Sequence, residues 1–350
     1  MLTVRHRRKT VALGVIAALA WGIGLLPRSI APRAQAIFPG RNGGIAFSSL
    51  QGLCPDAGGA RSLISTTGIA GDHLGCDYDI FSVAPNGSAI RRVSEGSDID
   101  IQPAWSPDGR RLAFVRTDLL LTNSDIWVME RDGTGVTNLT PDYTVSDYQP
   151  AWSPDGGKIL FSRRSPSGLV PPPAVTDIRM YIMNADGSDV TRLAGTPGIA
   201  GAGEWSPDGR WIVFGTCRET ANTPGAGPLG LIRPDGSGHR TLEVPGGGAC
   251  VPHWSPDGKS ILYTAVSGDD PRDLWTIAPD GTGARNLTAG SESDHLFGVW
   301  SPDGKRIAFL SDRDGSYKLY TMRSDGSNVR KLIDLELNAN EAGLDWGPRP

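Results

Sequence analysis

Acidic and histidine side chains recur five positions before a tryptophan in this chain, and they are its best candidates for chemistry. Asp100, Asp147, His295 and Glu341 occupy this place in four copies of the pattern. Carboxylates and an imidazole gathered at one opening could bind a cation, a sugar or a basic peptide. The same groups could instead cap backbone atoms where strands begin, which is a structural role. Both interpretations stay open on the sequence alone.

The rest of the chain offers little catalytic chemistry. No serine stands in a Gly-x-Ser-x-Gly context, and neither a His-Glu-x-x-His motif nor a phosphate-binding loop is present. Spacing typical of a zinc site is also missing. We therefore expect no metal and no cofactor. A non-catalytic binding or scaffold protein is favoured, and the alternative is a lyase or hydrolase that acts on a polysaccharide or peptide in an axial channel.

The candidate residues belong to a repeat. The pentapeptide Trp-Ser-Pro-Asp-Gly occurs five times, and a degenerate sixth copy, Asp-Trp-Gly-Pro, lies near residue 346. A regular period of this length marks a repeat architecture. Ser-Pro-Asp-Gly favours a type I turn closed by a left-handed glycine, and a large buried tryptophan before it would join neighbouring units. The six tryptophans are Trp105, Trp152, Trp205, Trp254, Trp300 and Trp346.

Each repeat also contains short apolar runs and an Asp-Gly or Asn-Gly turn, with no long helical period after residue 36. Such runs predict β-strands and hairpins. The first run, Ile45-Ala-Phe47, has no Trp-Ser-Pro-Asp-Gly motif before it, whereas Trp346 has no strands after it. We therefore predict an all-β, six-bladed β-propeller of four-stranded antiparallel blades. The strand around Trp346 would join the three N-terminal strands and close the ring.

The repeated run Trp-Ser-Pro-Asp-Gly-Lys/Arg-x-Ile-x-Phe, followed by Ile-x-x-Met-x-x-Asp-Gly-Ser-x-x-x-x-Leu, resembles the propeller repeats of the TolB family. The resemblance covers nearly all of residues 43–350. It implies that the tryptophan strand is innermost and that its first residues open at one mouth of a central channel. It also implies interaction with a protein partner or ligand in the cell envelope. Similar repeats occur in peptidases of the prolyl-oligopeptidase type and in some lyases.

The first 36 residues have the layout of a signal peptide. A basic start at residues 5–9 precedes an apolar stretch, Val11–Leu26, and a small-x-small site, Ala34-Gln-Ala36. We predict cleavage after Ala36 and a single propeller domain over residues 37–350. The protein would then be periplasmic, attached to the cell envelope or secreted. An uncleaved segment would instead anchor the chain to a membrane.

Removal of this segment makes the chain more acidic. Residues 1–36 hold six of the 34 lysines and arginines and none of the 38 acidic residues, which leaves a net charge of −10. Nucleic acids and anionic membranes require a positive protein surface. We therefore exclude nucleic acid as a partner and expect a monomer that binds a protein or an extracellular ligand.

The four cysteines predict disulfides, because an even number in an exported protein is typical of them. Cys54 and Cys76 lie in one long insertion, and a bridge there would close it. Cys217 ends an apolar run, and Cys250 stands four residues before Trp254. A second bridge between these two is expected, and four reduced thiols are the alternative.

Overall fold

The computed structural model describes residues 41–50, 78–96, 98–118, 123–164, 178–198, 200–216, 227–267, 270–337 and 343–350. Within these residues the chain forms 24 β-strands in six four-stranded antiparallel sheets and no helix. Accordingly, no described helix could cross a membrane. The predicted all-β, six-bladed propeller is confirmed. The predicted signal segment and its cleavage site lie outside the described residues.

The strands, numbered along the chain, take four equivalent places in the blades. The innermost strands are β4 (Ile99–Trp105), β8 (Ser146–Trp152), β12 (Gly201–Trp205), β16 (Gly248–Trp254), β20 (His295–Trp300) and β24 (Leu344–Pro348). The second strands are β1 (Asn42–Leu50), β5 (Arg111–Thr117), β9 (Lys158–Arg164), β13 (Ile212–Gly215), β17 (Ile261–Val266) and β21 (Arg306–Ser311).

The third strands are β2 (Tyr78–Val83), β6 (Ser124–Glu130), β10 (Ile178–Asn184), β14 (Leu229–Ile232), β18 (Asp273–Ile277) and β22 (Lys318–Arg323). The outer strands are β3 (Arg91–Arg92), β7 (Thr137–Asn138), β11 (Thr191–Arg192), β15 (Arg240–Leu242), β19 (Arg285–Asn286) and β23 (Arg330–Lys331). We number the blades 1 to 6 by their second strands, so that blade 1 contains β24, β1, β2 and β3.

The two ends of the propeller meet in blade 1. Strand β24 pairs antiparallel with β1, so that Trp346 lies opposite Ile45 and Leu344 lies opposite Phe47. Strand β24 also contacts the innermost strands of blades 2 and 6, which places the blades around the ring in chain order. The predicted closure by the strand around Trp346 is therefore confirmed. With this pairing, each of the six described blades has its full set of four strands.

The repeated turns fold through local hydrogen bonds. In the first of them the Ser106 hydroxyl donates to Asp108 Oδ1 (2.6 Å), and the Gly109 N–H donates to the Ser106 carbonyl (2.8 Å). Gly109 has a φ of 68°, a left-handed conformation that glycine adopts without steric cost. These contacts lie within six residues of one another. The local sequence alone therefore makes the turn between each tryptophan strand and the strand that follows it.

The core lies between the blades. The described residues form six buried apolar clusters; five join two neighbouring blades, and the sixth joins blades 2 and 3 together with Tyr78 of blade 1. Trp105 of blade 2, for example, packs with Ala46, Ile80 and Val93 of blade 1. Burying ~150–250 Å² of one tryptophan is worth roughly 4–6 kcal/mol at ~25 cal/mol per Å². One tryptophan at every seam is thus a major contribution to holding the ring together.

Two Asn-Leu-Thr segments fasten outer strands to third strands. Asn138 Nδ2 donates to Asp125 Oδ2 (2.9 Å), and Asn286 Nδ2 donates to Asp273 Oδ2 (2.8 Å). In the first segment the Thr140 hydroxyl also accepts the Ile126 N–H (2.9 Å). This tripeptide matches a glycosylation pattern, but these hydrogen bonds show that it has a structural role in the repeat.

Candidate functional site

The innermost strands are irregular at the same place in five blades. In β4, Gln102 and Pro103 together lie opposite the single residue Phe114 of β5, which makes a β-bulge. The residue three before each tryptophan has a left-handed backbone, with φ between 47° and 56°, in Gln102, Gln149, Ala202, Val251 and Phe297. This conformation is disfavoured for residues that carry a side chain, most of all when they are bulky or β-branched. Strain repeated at one place indicates a position that the ring requires.

The bulges join neighbouring blades through side chains. The Gln149 N–H donates to Gln102 Oε1 of the preceding blade (2.8 Å). In the next seam the Ala202 N–H donates to Gln149 Oε1 (2.7 Å). A bulge removes residues from regular strand pairing, so their backbone groups need other partners. The glutamines supply these partners and are held in one orientation by doing so.

Carboxylates make the same kind of bond in two other seams. The Trp254 N–H donates to Glu204 Oε2 (2.5 Å), and the Trp105 N–H donates to Asp345 Oδ2 (2.6 Å). Glu204 Oε1 lies 3.1 Å from His253 Nδ1. Glu204 and Asp345 stand one residue before their tryptophans in blades 4 and 1, which face each other across the ring. His253 takes the same place in blade 5.

These residues line a cavity of about 230 Å³ on the axis, which we call the axial cavity. It lies at the end of the ring where the Ser-Pro-Asp-Gly turns stand, because its walls run from the bulges to the prolines of those turns. All six repeat tryptophans contribute to the walls. No lysine or arginine is among the residues that line it. Its polar and charged side chains are Gln102, Gln149, Glu204, His253 and Asp345.

Burial and neighbouring charges shift the pKa values of His253 and Asp345 in the axial cavity. Burial lowers the pKa of His253, but the charge and hydrogen bond of Glu204 outweigh it and raise the pKa above 6.5. Burial raises the pKa of Asp345 to about 6, and the negative charge of Glu204 adds to this rise. The raised pKa favours protonated His253 and hence an ion pair with Glu204. Asp345 is an ionised carboxylate that no lysine or arginine of the described residues neutralises.

The sequence-predicted acids Asp100 and Asp147 do not line this cavity. Asp100 accepts two hydrogen bonds from Arg116 (2.6 and 2.8 Å), and Asp147 accepts two from Arg163 (2.7 and 2.8 Å). Both carboxylates are fully buried. Burial raises the pKa of each, although the guanidinium partner opposes the rise. The structure thus places these two acids in ion pairs within their own blades, and their role in ligand binding stays a prediction.

The third predicted binding residue, His295, does not belong to these ion pairs. His295 is fully buried, and its ring meets Phe309 edge-on at 5.7 Å. Neither ring nitrogen has a hydrogen-bond partner among the described residues. Burial lowers the pKa of His295 to about 4, and the charge of Arg313 adds to the fall, so the ring is neutral at pH 7. Glu341 lies outside the described residues.

The cysteines are only partly described. Cys250 lies on β16 and is disulfide-bonded. Cys54, Cys76 and Cys217 lie outside the described residues, so both predicted pairings stay predictions. Among the residues that the structure describes, no group of three histidines, cysteines or acids is placed to hold a metal ion.

Sequence reasoning missed Glu204, His253 and Asp345. The only signal for them is positional: the residue directly before the tryptophan is charged or titratable in three repeats. It is alanine or valine in the others, at residues 104, 151 and 299. A position that varies between repeats is easily taken for neutral sequence variation. The closed ring shows that this position faces the axis.

Comparisons with known proteins agree with the ring. Residues 237–343 match the family described as the TolB beta propeller domain. A protein TolB homolog from Chlorobium luteolum is 29% identical over 259 residues, which cover 74% of this chain and 55% of that protein. The chain is a six-bladed β-propeller, and its repeats are similar to those of TolB propellers. The Tol-Pal system protein TolB of Anaeromyxobacter dehalogenans is 40% identical over 81 residues, which cover 23% of the TolB-like chain and 18% of that relative.

The TolB-like chain therefore spans less than two thirds of the length of either relative. Among solved structures, TolB from Acinetobacter baumannii superimposes with a TM-score of 0.64 at 18% identity, covering 87% of this chain and 67% of that one. An oligogalacturonate lyase in complex with manganese superimposes with a TM-score of 0.52 at 17% identity, covering 73% and 70%. Identities this low show a shared fold alone.

Proposed function

We propose that this TolB-like chain is an exported, non-catalytic binding or scaffold protein that holds a protein partner or an extracellular ligand in its axial cavity. The observation that carries the proposal is the composition of that cavity. Tryptophan and proline walls surround a few fixed polar groups, which is the usual make-up of a binding site. Because all six blades contribute, the site is rigid before the ligand arrives, and little ordering free energy is lost on binding.

Two further observations support the partner and the location. A relative is named as a protein of the Tol-Pal system, that is, one component of a system with several members. A protein partner for this chain is consistent with that name. Export is supported by the basic and apolar layout of residues 1–36 and by the acidic remainder of the chain. Sequencing the N-terminus of the protein recovered from the cell envelope or the medium should give a start at Ile37.

Cross-linking and affinity capture from the cell envelope test the proposal. The full chain, tagged at its C-terminus, should retain one protein or ligand in a fixed ratio. Replacing Glu204→Gln and Asp345→Asn together should release it, since both side chains line the cavity. Tyr143→Ser is the matched control, because Tyr143 is 87% exposed and does not line the cavity.

Two results would contradict the proposal. Equal retention by the cavity variant and the control would show that the axial cavity is not the binding site. Cleavage of a polysaccharide or peptide by the purified chain, lost in the cavity variant, would instead favour a lyase or hydrolase.

A further inference from the structure

We infer that the axial cavity recognises its ligand through one primary ammonium group carried on an apolar stem. This inference rests on the proposed function, since it concerns the ligand of the same cavity. The group would lie against Asp345, and the stem would lie along the tryptophan and proline walls. A lysine side chain of a partner and a free alkyl amine present the same chemistry.

The charge of the lining selects a cation. Glu204 Oε1 lies 3.1 Å from His253 Nδ1, and the raised pKa of His253 favours the protonated ring that offsets the charge of Glu204. Asp345 stands on the opposite side of the ring with no lysine or arginine beside it in the cavity. A carboxylate in a partly desolvated wall is unfavourable until a positive charge pairs with it. The same negative charge, with no lysine or arginine in the lining, disfavours a ligand that carries an anion.

The carboxylate is also held in place. Its Oδ2 accepts the Trp105 N–H at 2.6 Å, and that tryptophan is buried in the neighbouring blade. The bond fixes the direction of the Asp345 side chain before any ligand binds. A preorganised charged acceptor gives a stronger and more selective hydrogen bond than a mobile one.

The walls and the volume define the rest of the ligand. Val251, Phe297 and the six repeat tryptophans present apolar and aromatic surface toward the axis. An ammonium group gains additional attraction from aromatic faces, and its methylene stem gains from apolar contact. A cavity of about 230 Å³ is below the ~300–1,000 Å³ of sites for drug-sized ligands. It therefore fits one side chain or a small amine rather than a whole oligomer.

Three small probes that have similar shapes but different charges test the inference. Benzylammonium, benzyl alcohol and benzoate are titrated into the full chain at pH 7.5 by calorimetry, with the indole N–H signals of the tryptophans followed by NMR to locate the site. Benzylammonium should bind about tenfold or more tightly than benzyl alcohol, because a hydrogen bond to a charged group is roughly twice as strong as a neutral one. Benzoate should bind most weakly.

Variants assign the preference to one residue. Asp345→Asn should remove the preference for benzylammonium and leave the affinity for benzyl alcohol unchanged. Asp142→Asn is the matched control, since Asp142 is exposed and lies outside the cavity. If the Asp345 variant does not fold, the charge series on the unchanged protein still decides. Nα-acetyl-lysine N-methylamide and hexylammonium then distinguish a lysine side chain from a free amine by their relative affinities.

The outcomes separate this inference from the proposed function. Equal binding of the ammonium and the alcohol would overturn the cation inference and leave a cavity that binds ligands. The cation inference would also be overturned if no probe binds while the captured partner is still lost when Glu204 and Asp345 are replaced. That result would leave the proposed function standing. Failure of both the probes and the capture experiment would remove the proposed function too.

Discussion

Asp345 of blade 1 accepts a hydrogen bond from the backbone N–H of Trp105 in blade 2, and the donor and acceptor atoms are 2.6 Å apart. The carboxylate thus lies in the seam beside the strand that closes the ring, and it also lines the axial cavity. An amide could also accept this hydrogen bond through its oxygen, although a charged acceptor makes the stronger bond. The bond from Trp105 lowers the pKa of Asp345 but burial outweighs it, so the net effect of the charge on stability can be measured separately.

We expect Asp345→Asn to stabilise the protein at pH 7.5. The pKa of Asp345 is raised to about 6 in the folded protein from 3.8, so the folded state binds its proton more tightly than the unfolded state. This contribution to stability is fully present below about pH 4 and is lost as pH rises through 6. At pH 7.5 the loss reaches about 2–3 kcal/mol, which the variant should recover.

Thermal unfolding between pH 4 and pH 8 measures this effect. The melting temperatures of the variant and the unchanged protein should agree near pH 4 and diverge above pH 6. Asp270→Asn serves as the control and should follow the unchanged protein throughout, because Asp270 is exposed and lies outside the cavity. A lower melting temperature for Asp345→Asn at pH 7.5 would show that the charge itself supports the seam.

Arg163→Met should destabilise blade 3. The change leaves Asp147 fully buried and without the guanidinium that donates to both of its oxygens. Breaking a buried ion pair in this way costs about 3–5 kcal/mol, whereas replacing both partners by apolar residues is often nearly neutral. Urea unfolding should therefore show a large loss for Arg163→Met and partial recovery in the double variant Asp147→Leu, Arg163→Met.

The same double variant tests whether Asp147 binds a ligand. If the partner captured from the envelope is lost while the double variant stays folded, the predicted binding role of Asp147 gains support. If the double variant still retains the partner, the role of Asp147 is limited to its ion pair with Arg163. A single Arg163→Met variant as stable as the unchanged protein would contradict the structural account.

The fold could be predicted because its determinants are local. Each Ser-Pro-Asp-Gly turn closes within a few residues, as the bonds of Ser106 and Gly109 illustrate, and each is marked by its tryptophan. A count of the apolar runs shows that Trp346 has no strands after it and that Ile45 has no Trp-Ser-Pro-Asp-Gly motif before it. Their direct pairing in blade 1 follows from that count.

The site could not be predicted in the same way because the bulges change which side chains face the axis. Alternation along a regular strand would turn residues one, three and five before the tryptophan to the same side. In blade 2, Gln102 lines the cavity but Asp100, beyond the bulge, pairs with Arg116 instead. Nothing in the sequence marks Gln102 as left-handed, since such a backbone is unusual for glutamine. Asp100 and Asp147 do not line the axial cavity, and the predicted binding role of the residues five places before the tryptophan stays a prediction.

Gly347→Ala should weaken the seam between blades 1 and 2. A methyl group at Gly347 would overlap the Trp105 ring, which is buried and cannot move aside. Overpacking of this kind costs about 1–3 kcal/mol. Gly157→Ala is the matched control, because the nearest atom to its added methyl group is 3.4 Å away on the side chain of Asp155. Urea unfolding of both variants gives the comparison, and equal stability would show that the seam adjusts to the added volume.

His295 should make the protein lose stability in acid. Its pKa falls to about 4 in the folded protein from 6.5, so between these values the unfolded state binds a proton that the folded state does not. This contribution to stability therefore decreases as pH falls from about 6.5 toward 4, by up to roughly 3 kcal/mol. His295→Gln removes this titration, so over this window the variant should lose less stability in acid than the unchanged protein. His239→Gln, at an exposed histidine, should retain the slope of the unchanged protein. Identical slopes in both variants would mean that another group is responsible for the loss in acid.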